Sequence, residues 1–70
     1  MPLVIAPLDQ DLTIIRILTD EKTKKHLESL GITIKAKIRV LSQSGGNVIC
    51  LVKDGRLALD KDLATKIFIA

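Results

Sequence analysis

The chain has 70 residues, of which 47% are hydrophobic and only 1% aromatic, with a formal net charge of +3. That length predicts a single domain over residues 1–70, near the lower limit for a self-sufficient core, and excludes a two-domain enzyme. One phenylalanine and no tyrosine or tryptophan exclude a base-stacking platform and a groove that reads proline-rich peptides.

Isoleucine, leucine and valine together number 25. Such aliphatic content with so low a net charge argues against disorder. A domain of this size buries only roughly 60% of the surface of its unfolded chain, so an exposed aliphatic patch is expected. Such a patch implies a partner or self-association into a homo-oligomer. The eleven Lys and Arg are spread along the chain rather than clustered. Cys50 has no second cysteine to pair with, which favours a reducing compartment. The apolar run Met1 to Ala6 is too short for a signal segment, and no window reaches the roughly 18 apolar residues of a membrane span. The expectation is a cytoplasmic protein without membrane insertion.

Residues 1–10, with Pro2 and Pro7, read as an extended lead-in and turn. Leu12 to Leu18 is β-branched and apolar, a strand. Ile14-Ile15 breaks its period of two, which calls for a bulge or for cover on both faces. Thr19 or Asp20 caps a helix of about residues 20–30. Thr23, Leu27 and Leu30 form its narrow apolar stripe, and Gly31 is its left-handed end. Ile32, Ile34, Ala36, Ile38 and Val40 then alternate with Thr33, Lys35, Lys37 and Arg39. That pattern predicts a half-buried strand with a basic outer face, Lys35, Lys37 and Arg39.

Ser42 to Asn47 is a turn around Gly45-Gly46. Val48 to Val52 is continuously apolar, a strand largely covered on both faces. Asp54-Gly55 is a two-residue hairpin signal, followed by a strand over Arg56–Leu59. Asp60 caps one helical turn through Ala64, and residues 66–69 form a last strand. Strands this short, with no room for crossover helices, predict a mostly β fold: a small antiparallel barrel of about five strands with one short helix after the first.

The catalytic inventory does not support an enzyme. His26 is the sole histidine, no Gly-x-Ser-x-Gly surrounds a serine, and Gly45-Gly46 lacks the Lys-Ser/Thr of a phosphate loop. No paired metal-ligand spacing exists. His26 is the one metal-ligand candidate, to be completed by Glu28, Asp20 or a second subunit, and its alternative is a solvated helix residue. Cys50, within Val-Ile-Cys-Leu-Val, reads as a small core hydrophobe. The basic face Lys35, Lys37 and Arg39 suits a nucleic acid or an acidic protein surface, and equally a solvated face that protects a strand.

Two segments carry a resemblance over most of the chain. They are His26-Leu27-Glu28-Ser29-Leu30-Gly31-Ile32 and Gly55-Arg56-Leu57-Ala58-Leu59 with Leu63-Ala64, Ile67 and Ile69. In this the sequence resembles the FeoA family, small cytoplasmic proteins that accompany the ferrous iron transporter FeoB, whose domain also ends some DtxR-type regulators. The resemblance implies an SH3-like barrel and a non-enzymatic accessory of ferrous iron uptake that binds FeoB's cytoplasmic GTPase region. It implies no required cofactor, and a transition metal such as Fe(II) as ligand, for which His26 is the local candidate. The implied contact surface comprises the helix face Lys24, Lys25 and Glu28, the loop at Gly31, and the aliphatic surface at Leu8, Leu18 and Leu41. The alternative is a regulator-associated or nucleic-acid-binding SH3-like module that uses the basic strand face. Where the family usually carries Pro-Gly after Leu-Gly-Ile, this chain has Thr33-Ile34-Lys35-Ala36.

Overall fold

In the computed structural model, residues 1–53 and 55–70 are described. Strand β1 spans Leu12–Ile17, helix α1 Glu21–Ser29, β2 Lys37–Ser44, β3 Asn47–Val52, β4 Gly55–Leu59, helix α2 Lys61–Lys66 and β5 Ile67–Ile69. The strands form one antiparallel sheet in the order β4-β3-β2-β1-β5. The two outermost strands are joined only by Asp60 and the six residues of α2. Six helical residues rise about 9 Å, so the sheet must curl until its edges nearly meet. That short link makes the five strands a barrel.

Two bulges bend the strands around the core. Between Ile14 and Arg16 the register on β5 advances only from Ile69 to Phe68, leaving Ile15 as the extra residue. This is the break that Ile14-Ile15 announces in the sequence. A second bulge places Leu41 as the extra residue opposite the Cys50–Ile49 step of β3. Such insertions strengthen local twist. The enclosed core is almost wholly aliphatic, with Ile14, Leu27, Ile32, Ile38, Ile67 and Ile69 at or near zero exposure.

Helix α1 has the ends its sequence foretells. Asp20 accepts a hydrogen bond from the Thr23 amide at 2.8 Å, satisfying one of the free donors of the first turn. At the other end Gly31 N–H donates to the Glu28 carbonyl and Ile32 N–H to the Leu27 carbonyl. That is the paired Schellman closure. Gly31 takes a φ of 93° for it, and the accompanying apolar contact position falls on Leu27 and Ile32, both fully buried. Asp60 caps α2 in the same way, through the Leu63 amide.

Three expectations need correction. First, the alternating segment 32–40 is a strand only from Lys37. Ala36 N–H donates to the Thr33 carbonyl and Lys35 has a φ of 74°, which makes Thr33–Ala36 a tight turn with a left-handed third residue. Lys35 therefore leaves the basic strand face, and only Lys37 and Arg39 remain on it. Second, Val48–Val52 is not covered on both faces. Val48, Cys50 and Val52 are buried whereas Ile49 and Leu51 are exposed, because β3 lies between β2 and β4 with only its inner side facing the core. Third, the lead-in is not merely extended. Leu3–Ile5 is a single 3-10 turn, with Leu3 fully buried. Met1 and Ile69 exchange two backbone hydrogen bonds, which tie this segment to β5. The Asp54-Gly55 signal lies partly outside the described residues, since Asp54 is not among them; Gly55 opens β4.

Candidate functional site

The residues with chemical potential fall into separate places. His26 is exposed in the last turn of α1. Ser29, three residues on, donates its hydroxyl to the His26 backbone carbonyl rather than to the imidazole, so the pair is a helix-end hydrogen bond and not a nucleophile with its base. Cys50 is sealed in the core, where its Sγ donates to the Leu57 carbonyl at 3.4 Å. Burial pushes its pKa up to about 11, which leaves it a thiol at neutral pH and a poor nucleophile. The two soft ligands thus occupy opposite environments. Among the described residues no group of three or more His, Cys, Asp or Glu stands close enough to hold a metal. A resident metal ion does not fit the donors that the described residues of one copy bring together.

The expected contact residues also divide. Lys24 is half-buried, Lys25 and Glu28 are exposed on α1, and Gly31 closes that helix. Leu18 is exposed at the end of β1, where its amide donates to the Lys66 carbonyl. Leu8 is bridged to Val40 and hence lies beside the bulge residue Leu41, which is half-buried. On the basic face, Arg39 donates from Nε and one terminal nitrogen to Asp11, at 3.0 and 2.7 Å. Lys37 donates to the Thr13 hydroxyl at 3.0 Å.

Several further apolar side chains are exposed. Ile15 is pushed outward by the bulge and Ile34 by the Lys35 turn, and both stand about half in solvent. On the outer face of the sheet, Ile49 sits opposite Ala58, and Leu51 sits between Arg39 and Arg56. The Ile14-Ile15 irregularity was a usable signal for the first of these; nothing in the sequence separates Ile34 from Ile32. Among the described residues no helix is long and apolar enough to cross a membrane.

Comparison with solved structures places this geometry. A crystal structure of an iron uptake regulatory protein, FeoA, superposes with a TM-score of 0.88 at 27% identity, over 99% of this chain and 93% of that one. A zinc-complexed FeoA from Stenotrophomonas maltophilia, described as a prokaryotic SH3 domain protein, matches with a TM-score of 0.79 at 20% identity, over 100% of this chain and 89% of that one. A manganese-dependent transcriptional repressor matches with a TM-score of 0.88 at 20% identity, and this chain covers 40% of it. The last two likenesses establish the SH3-like fold alone. No curated protein sequence matches the chain. The family model of the FeoA domain matches residues 1–70, and with the five-stranded SH3-like barrel already in place, the chain belongs to the FeoA family.

Proposed function

We propose that the chain is a non-enzymatic accessory of ferrous iron uptake that acts by docking on the cytoplasmic GTPase region of a FeoB-type transporter. Family membership supports the pathway. The observation that carries the mode of action is the outward face of β3, where Ile49 and Leu51 remain 38% and 39% exposed on a regular, well-paired strand. A rigid surface with solvated aliphatics needs no reorganisation to bind, which favours association. In this reading Fe(II) is the transporter's cargo and not a ligand resident in this barrel. The helix face Lys24, Lys25 and Glu28, the Gly31 loop, and Leu8, Leu18 and Leu41 extend the surface available to the transporter.

The nucleic-acid alternative draws less support. Its basic strand face loses Lys35 to a turn, and Arg39 is already engaged by Asp11. Its stacking partner would have to be Phe68, which is half-buried in β5.

Titration calorimetry of the chain against the purified cytoplasmic region of FeoB tests the proposal. Micromolar association is expected, weakened about tenfold or more by Ile49→Glu with Leu51→Glu. No association at tens of micromolar overturns it.

A further inference from the structure

Strand β2 changes partner along its length. Its register with β3 starts at Arg39↔Leu51, whereas Ile38 and Lys37 are registered on Leu12 and Thr13 of β1. The β2–β3 ladder thus ends at one corner of the barrel, where β3 itself ends at Val52. Two adjoining depressions open there, one lined by Asp11, Arg39, Ile38, Val52 and Leu51, of which Leu51 is the exposed aliphatic, the other reaching Ala36 and Gly31. Lys37 and Lys53 line both.

Among the described residues the charge at this corner is unbalanced. Arg39–Asp11 is the one ion pair among the described residues. Lys37 has a neutral partner, the Thr13 hydroxyl, and Lys53 is exposed. Lys35 stands exposed on the turn that borders the second depression, which Thr33 and Ala36 line. Lys37 and Lys53 thus flank the exposed Leu51, with Lys35 on the neighbouring turn.

We propose that this corner is a docking groove for an extended, acidic and aliphatic peptide segment of a protein partner. An extended peptide sends alternate side chains to opposite sides. Its aliphatic residues then meet Leu51 while neighbouring carboxylates reach Lys37 and Lys53. A nucleic acid fits this corner less well. No aromatic side chain lines either depression, and the guanidinium that would grip a phosphate bidentately is already held by Asp11. The inference rests on the docking reading above and specifies the chemistry of the docked segment.

Fluorescence anisotropy of a labelled peptide of alternating aspartate and leucine, titrated with the full chain at low salt, is the test. The expected result is saturable binding that salt weakens, and that Lys37→Glu with Lys53→Glu weakens about tenfold or more. Lys22→Glu with Lys61→Glu, which preserves the same net charge as that double reversal, is expected to bind as the unmodified chain does. Thermal melts establish that both double variants fold. The groove is overturned if the unmodified chain ignores the peptide, if the Lys37/Lys53 reversal binds it equally well, or if a single-stranded oligonucleotide of equal charge binds more tightly. Capture of the FeoB cytoplasmic region separates the two readings. Its absence with the unmodified chain overturns the docking reading alone, and equal capture by the unmodified chain and the Lys37/Lys53 reversal overturns the groove alone.

Discussion

Residues 32–36 and 48–52 are two short aliphatic segments that meet the core by different physical means. The first is held at its ends. Ile32 is pinned by the Schellman closure of α1, and the turn at Lys35 returns the chain to β1, where the Lys35 amide donates to the Ile14 carbonyl at 2.7 Å and the Ile14 amide to the Ala36 carbonyl at 2.9 Å. Between these anchors Ile34 is free to point into water. The second is held along its whole length by ladders to β2 and β4, so its side chains alternate strictly, Val48, Cys50 and Val52 inward and Ile49 and Leu51 outward. In a strand the pleat assigns each side chain its face. In a turn the assignment is made by whichever backbone hydrogen bonds close it.

The sharpest way to break this comparison is to truncate the two isoleucines of the first segment. Ile32→Ala removes a fully buried side chain from a core with few alternatives, and is expected to cost about 3–4 kcal/mol in urea unfolding. Ile34→Ala, two residues on, is expected to remain within about 0.5 kcal/mol of the unmodified chain. Equal losses at both positions would mean that Ile34 packs inward and that no turn separates them.

Within the second segment, Cys50 reports on the inward face. Cys50→Ser places a hydroxyl among aliphatics with only the Leu57 carbonyl in reach, an expected loss of about 1–2 kcal/mol. The thiol also gives the inward face a pH signature. Its folded pKa is raised above the ordinary 9.0, to about 11, by desolvation. Its contribution to stability is therefore complete below pH 9 and is lost as the pH rises toward the folded value, because the unfolded chain then gains by ionising. Stability measured across that alkaline range should fall more steeply for the unmodified chain than for Cys50→Ala. The opposite sign applies to Asp20, whose carboxylate is held below its ordinary 3.8 chiefly by the hydrogen bond from Thr23. Its capping contribution is present above that value and fades in acid as the group takes up its proton.

These two segments also explain how much of the fold and of the site could be read beforehand. Local chemistry was legible where one residue decides one conformation: Asp20 and Gly31 mark the ends of α1, Asp60 caps α2, and the doubled Ile14-Ile15 marks a bulge. Alternation was misleading in both directions. The perfect alternation of 32–40 is partly a coincidence of a turn with a strand, because hydropathy records what is apolar and not where the backbone reverses. The unbroken apolar run of 48–52 conceals an alternating strand, because its outward residues Ile49 and Leu51 are aliphatic too and no polar residue signals the solvent side. The residues proposed for docking suffered most from this. Leu51, Lys37 and Lys53 converge only where β2 changes from β3 to β1, a long-range event that no local pattern carries.

Lys35 offers a smaller effect of opposite sign. A lysine at a φ of 74° bears the Cβ crowding of left-handed geometry, at about 1–2 kcal/mol, part of which glycine would return as its own greater entropy loss on folding. Lys35→Gly is therefore expected to stabilise the chain by about 0.5–1 kcal/mol. A loss of stability would show that Lys35 is held by side-chain contacts and not merely tolerated.

The smallest expected effect on folding falls on the outward face of β3, and it separates folding from function. Leu51→Thr puts a β-branched residue, well suited to a strand, between Arg39 and Arg56 and removes solvated apolar surface, so stability should stay within about 0.5 kcal/mol. If Leu51 forms the floor of a docking surface, the same change must still weaken capture of the FeoB cytoplasmic region, since a contact desolvated only on association contributes to the complex and not to the free fold. Unchanged capture at unchanged stability would make Leu51 an ordinary exposed leucine. The loss of both together would move it into the core, and the division of β3 into an inner face for folding and an outer face for binding would no longer hold.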